Sequence, residues 1–277
     1  MPGDWLDLLS FFHDALLVAM VAGFLLGAMG VFLHLRRSLF LGAALPQVAG
    51  LGFILAMAVH LPAWLGALVV VAGFVGLLTW RGAGEAGGFT AEAAIGLGFV
   101  AAMAGSVLVT ALTGTETHGL ELLLKGSVLT STCQDLHRLV GFGLPWLLVL
   151  LLMRRRLVLI SLDPEMARAM GIPVRPFEVA LFFGASVAII LTLQAAGAMA
   201  CFGLLLLPGL GALAVASTVR GVFVWAAGLG MIGAVGGVAA ALAWDLPAGP
   251  AMVVASLALT VICRWLGRGR FVPHPVS

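Results

Sequence analysis

A chain of 277 residues that is 62% hydrophobic and only 9% charged cannot hide its apolar surface in water, so a water-soluble fold is excluded. Its formal net charge of +2 is no sign of nucleic-acid binding, because membrane topology accounts for the basic residues. The class is an all-α polytopic membrane protein, read as a single transmembrane domain over residues 1–277.

A bilayer core about 30 Å thick takes about 20 apolar residues in helical form. The predicted spans, in chain order, are 14–34, 38–60, 62–80, 92–113, 138–153, 177–197, 199–217, 222–243 and 248–266. The 177–217 stretch is nearly continuously apolar through Gln194-Ala195-Ala196-Gly197-Ala198. It is either two spans or one span plus a re-entrant segment, so eight or nine transmembrane helices are expected. Met1 to His13 has no basic n-region and runs straight into an apolar span, unlike a cleavable signal peptide. The glycines, among them Gly23, Gly27, Gly30, Gly228, Gly230, Gly233, Gly236 and Gly237, suit close helix packing. Cys133, Cys201 and Cys263 form no CxxC pair and suggest neither a disulfide framework nor a structural zinc site.

If the first span runs outside to inside, Arg36, Arg37, Arg81, Arg154, Arg155, Arg156, Arg168, Arg175, Arg220, Arg264, Arg268 and Arg270 fall inside. Only Lys125 and Arg138 fall outside. That bias sets the N-terminus outside and the C-terminus in the cytoplasm, and it favours two crossings over 177–217. The long cytoplasmic loop is Arg154 to Pro176. The long outer loop is Thr113 to His137, whose segment Leu120–Leu129 is apolar but too short to span, as an interfacial or re-entrant helix would be.

Within the cytoplasmic loop, Asp163-Pro164-Glu165-Met166-Ala167-Arg168-Ala169-Met170-Gly171 reads as a short, well-capped polar helix. Asp163 is a good N-cap, Pro164 suits the first helical position and Gly171 can end the helix in a left-handed conformation. A chain so poor in charge has little structural need for this element, whereas a lever gripped by a cytoplasmic partner would need one. There is no GxxxxGK[ST] phosphate loop, so ATP is not bound here in the usual way. No Asp, Glu, Lys or Arg stands mid-span, where ion-coupled carriers usually bury a coupling group. These features describe a permease driven by a partner, not an enzyme.

Six segments stand in order along the chain: Gly30–Leu33 with Arg36–Leu39, Glu92–Gly96, Lys125–Leu129, Asp163–Gly171, Gln194–Gly197 with Leu206–Gly209, and Asp245–Pro250. Together they resemble the membrane subunit of zinc/manganese/iron ATP-binding-cassette importers, a family related in fold to the cobalamin and siderophore permeases (type II importers). Gly30-Val31-Phe32-Leu33 with Arg36-Arg37-Ser38-Leu39 is similar to the end of that family's first span. Glu92-Ala93-Ala94-Ile95-Gly96 resembles its D-T-A-I-G, and Lys125-Gly126-Ser127-Val128-Leu129 its external F-G-S-I-L. The 163–171 segment resembles D-P-E-F-A-R-A-L-G. Gln194-Ala195-Ala196-Gly197 with Leu206-Leu207-Pro208-Gly209 resembles L-Q-V-V-G … L-L-L-P-A, and Asp245-Leu246-Pro247-Ala248-Gly249-Pro250 resembles D-L-P-S-G-A. The resemblance implies a coupling helix at 163–171 (Asp163, Pro164, Glu165, Arg168, Gly171) that fits a groove on an ATPase. It also implies a permease dimer (a homodimer or a pair with a close relative), two ATPase subunits that bind ATP and Mg, and an extracytoplasmic metal-binding protein. No cofactor is expected in this chain, and the implied site is the bacterial inner membrane. Glu116, Glu121, Lys125, Asp135 and Arg138 are candidates for docking the binding protein, or are simply solvated.

One segment departs from the family. Where relatives carry G-D-A-L-S-H-A, this chain reads Gly42-Ala43-Ala44-Leu45-Pro46-Gln47-Val48, with Ala43 in place of Asp and Gln47 in place of His. Alanine cannot bind a metal and an amide is a poor ligand for zinc. Ala43, Gln47, Gln194 and Cys201 remain the candidate pathway residues, with interhelical hydrogen bonding the expected role of Gln194. His60, His118, Cys133 and His137 are weak metal candidates; Cys133 and His137 have i, i+4 spacing. The methionines are expected to pack or to face lipid. The leading function is import of a divalent metal (zinc, manganese or iron). The alternatives are the same fold importing a chelated metal or small organic molecule, or a non-transporting scaffold or sensor.

Overall fold

The structure is a computed structural model, and it describes residues 12–81, 91–113 and 131–267. Its elements are α1 (His13–Leu35), α2 (Leu41–Ala58), α3 (Ala63–Arg81), α4 (Ala91–Thr113), α5 (Cys133–Arg138), α6 (Leu144–Leu152), α7 (Arg154–Leu162), α8 (Pro164–Ala169), α9 (Val174–Val215), α10 (Val219–Trp244) and α11 (Ala248–Leu266). Among the described residues, eight helices or helix segments are long and apolar enough to cross a membrane, and α3 contributes a shorter apolar stretch, Ala63–Thr79. The predicted spans thus all reappear as helices.

The 177–217 ambiguity is resolved at Gly197. That residue has φ 81 and ψ 164, a conformation open in practice only to glycine. Nine residues of straight helix would separate Thr192 and Cys201 by about 13.5 Å along the axis, yet Thr192 Oγ1 lies 3.2 Å from Cys201 Sγ. The chain therefore folds back, and α9 is a hairpin with arms Val174–Leu193 and Ala196–Val215, each long enough to span. The first arm opens beside the end of α1, where Glu178 pairs with Arg36. The second arm returns to that end, where Gly209 packs under His34.

Helix α1 is the most buried span and runs through the middle of the bundle. It crosses α10 where Gly23 and Gly27 meet Gly230 and Ala226, backbone against backbone, and it meets the second arm where Gly30 faces the Leu205 carbonyl. Not every glycine of the expected packing set works this way, since a Cβ at Gly228 or Gly236 would meet nothing within 4 Å. Helix α2 packs on α3 through Gly52 and Gly66 and leans on α4 through Phe40–Phe99.

The 138–153 span starts earlier than expected, at Cys133. A wider turn over Leu139–Gly143 joins α5 to α6. Pro145 explains the wider turn, because it has no N–H to give and its ring crowds the carbonyl one turn back. The 154–176 loop also holds more structure than the sequence suggested: α7 precedes the short helix and buries Leu157 and Ile160. The expected outer helix at 120–129 lies outside the described residues.

Candidate functional site

The short helix forms as its sequence requires. Asp163 Oδ1 accepts hydrogen bonds from the Glu165 and Met166 N–H groups at 3.1 and 2.9 Å, and Pro164 follows in the first turn. At the other end Gly171 takes φ +73, its N–H donates to the Arg168 carbonyl at 2.9 Å, and the Ile172 N–H donates to Ala167 at 3.0 Å. That pair of bonds is a Schellman stop. Only Ala167 of the six helical residues is buried. Glu165 and Arg168 are exposed, and so are Leu162, Met166 and Met170, at 59, 55 and 62%. These apolar side chains stand exposed together on a capped helix between two apolar spans, and the core does not account for them.

The candidate pathway residues separate into two groups. Ala43 and Gln47 lie one turn apart on α2, both half-buried, on a side of the helix where a Cβ at Gly50 would meet nothing. This side of α2 has room beside it. Cys201 is fully buried inside the α9 hairpin against Thr192. Gln194 sits near the hairpin turn, and its side chain is outside the described residues. A cavity of about 330 Å³ opens between α2, α3 and α4, lined by Val48, Leu51, Phe74, Leu97 and Ala101 among others. Every lining side chain is apolar, so no side chain here offers a ligand to an ion.

Of the metal candidates, His118 lies outside the described residues, as do Glu116, Glu121 and Lys125 of the docking set. Cys133 Sγ is 3.5 Å from His137 Nδ1, but that nitrogen is nearer the Cys133 carbonyl, at 2.7 Å. Asp135 accepts from the Thr132 N–H and hydroxyl and lies 3.6 Å from Arg138, which stays half-exposed. Among the described residues no three His, Cys, Asp or Glu side chains come together as a metal site. His60 has a backbone role: at φ +55 it ends α2, with Leu61 N–H donating to the Ala56 carbonyl. We expect His60→Gly to raise stability by about 1 kcal/mol, by relieving a left-handed non-glycine residue, and to leave transport intact. Thermal unfolding in detergent and an uptake assay check this; lost uptake would make His60 a ligand again.

A further contact escaped sequence reasoning. Arg36 Nη2 lies 2.5 Å from Glu178 Oε1, and its guanidinium stands 4.8 Å over the Phe182 ring. The available signal was that both charged residues fall at the same expected membrane face.

The ABC 3 transport family model matches residues 9–267. The manganese transport system membrane protein MntC of Halalkalibacterium halodurans is 30% identical over 253 residues, 90% of this chain and 85% of that protein. The manganese import system permease protein ScaB of Streptococcus parasanguinis is 25% identical over 94% of this chain and 91% of its own length. The structure of PsaBC from Streptococcus pneumoniae in complex with Fab superimposes with a TM-score of 0.84 at 22% identity, covering 95% of each chain.

Proposed function

Because this chain belongs to the ABC 3 transport family and is similar over most of its length to manganese permeases, we propose that it is the permease subunit of an ATP-driven manganese importer. The cargo is inferred from those relatives. Gln47 is compatible with it, because an amide oxygen is a harder donor than imidazole and suits manganese better than zinc. A single amide is no complete site, so manganese passes this point held partly by water or by groups of a second copy.

The observation that carries the reading is the capped helix with Leu162, Met166 and Met170 exposed. It gives a separate ATPase, loaded with ATP and Mg, a surface to grip. The assembly we infer is two permease copies, two ATPases and an extracytoplasmic binding protein in a bacterial inner membrane. The N-terminus is outside and the arginine-rich ends are in the cytoplasm. ATP binding then favours one of two arrangements of the bundle, and access switches sides.

The test is elemental mass spectrometry of cells that lack their own metal importers and express this chain with its neighbouring ATPase and binding protein. Manganese gain that disappears with a hydrolysis-dead ATPase supports the reading. Equal gain of zinc or iron would overturn the cargo. No gain of any metal from an assembled complex would overturn metal import and favour a chelate, an organic cargo or a scaffold.

A further inference from the structure

The inner end of α1 holds both arms of the α9 hairpin. Arg36 meets the first arm through Glu178 and Phe182, and His34 packs against Gly209 of the second, where a Cβ would lie 2.7 Å from the imidazole. The direction of Arg36 is fixed by the turn that follows it. Arg37 takes φ +57, and the Ser38 N–H donates to the Leu33 carbonyl at 3.1 Å. Glu178 is seven residues beyond Gly171, about one turn into a helix that starts where the capped helix stops. A displacement of that helix therefore reaches Glu178 through one short bend.

The pair is poorly suited to a purely stabilising role. Its side chains are only 21 and 15% exposed, and Arg36 Nη1 is buried without a hydrogen-bond partner. A desolvated pair with a spare donor adds little net stability over apolar packing, while it does fix one geometry among several. Beside the pair, the Phe182 ring lies under the guanidinium and adds an apolar face to the joint.

We propose that Arg36 and Glu178 are positioning residues for transport, forming the joint that carries movement of the 163–171 helix into α1 and the hairpin. This rests on the permease reading above. Helix α1 packs against α10 and the second arm, so a pull at its inner end shifts the middle of the bundle.

The experiment uses the whole complex in vesicles, with manganese uptake and ATP hydrolysis measured on the same sample. For Arg36→Gln and Glu178→Gln, uptake per ATP should fall about tenfold, within the usual range of coupling between sites. Assembly with the ATPase and the hydrolysis rate should be retained. The exchange Arg36→Glu with Glu178→Arg should recover most of the ratio. Uptake and hydrolysis falling together at an unchanged ratio would reduce the pair to a structural contact and overturn the proposal. So would an exchanged pair that assembles but stays uncoupled.

If the exchanged protein does not assemble, Arg36→Cys with Glu178→Cys in a Cys133→Ser background takes its place. Bridging the two thiols with a short bifunctional reagent should restore the ratio, and a bridge that leaves it low overturns the joint. If the unmodified complex carries no manganese, the cargo reading fails. Uptake per ATP is then measured with the zinc or iron that the complex does carry, and the single variants should show the same fall at a retained hydrolysis rate.

Discussion

Gly230→Ile should remove nearly all folded permease from the membrane, while Gly228→Ile and Gly236→Ile on the same helix should not. At Gly230 a Cβ would press into the Gly23 carbonyl and against the Gly27 Cα, and the reverse holds at Gly23. These are backbone atoms of a central helix, so no rotamer change can make room; α1 and α10 must separate. Forcing extra groups into a packed interface costs about 1–3 kcal/mol where side chains can adjust, and more where they cannot. The loss reaches beyond one pair, because α1 also packs on the second arm at Gly30. In a bilayer, close packing is a main source of helix association, so an interface of this kind has little to replace it. At Gly228 and Gly236 the added side chain meets open space, and replacing glycine by a better helix former is mildly favourable. Detergent extraction followed by size-exclusion chromatography reads the outcome. Equal recovery of all three variants would mean that the α1–α10 crossing does not hold the bundle together.

That contrast marks what the sequence could and could not reveal. Hydropathy and length located every span, because the bilayer imposes a requirement that each segment satisfies alone. The ends of the short helix were equally legible, since Asp163, Pro164 and Gly171 act within one turn of where they stand. Which glycines touch another helix was not legible, because Gly228 and Gly230 are two residues apart and differ only in which neighbour they face. The arginine bias already favoured two crossings over 177–217, but the same limit hid where the α9 hairpin turns, since Gly197 resembles any other small residue until its φ is known. It hid the Arg36–Glu178 pair as well, whose partners are 142 residues apart. Arg154-Arg155-Arg156 served as a topology marker and so obscured α7, the helix that the three arginines begin. Among the candidate pathway residues, the departures at Ala43 and Gln47 were plain from the sequence, but the room beside them is a property of how α2 leans on its neighbours.

Gly171→Pro should reduce transport by about a hundredfold or more, as expected when an interaction needed only for the driven step is removed, while leaving the chain inserted in the membrane. Proline fixes φ near −65°, whereas Gly171 has φ +73, and it removes the N–H that donates to the Arg168 carbonyl. The Schellman stop is lost, and the path from the helix into Val174 must change direction. Gly171→Ala keeps the N–H but places a Cβ in the left-handed region, at a cost of about 1–2 kcal/mol, so an intermediate loss is expected. Strain alone does not prove that an ATPase grips this helix, and Met166→Asp with Met170→Asp separates the two effects. Both residues are exposed and a carboxylate there is solvated, so folding should be untouched, yet a partner's apolar groove would have to bury two charges. Co-purification of the ATPase with the double-Asp variant should therefore drop to background, whereas Gly171→Pro should retain some ATPase with hydrolysis no longer stimulated by the binding protein. If the double-Asp variant still binds its ATPase and transports normally, the exposed face of this helix is not the docking surface.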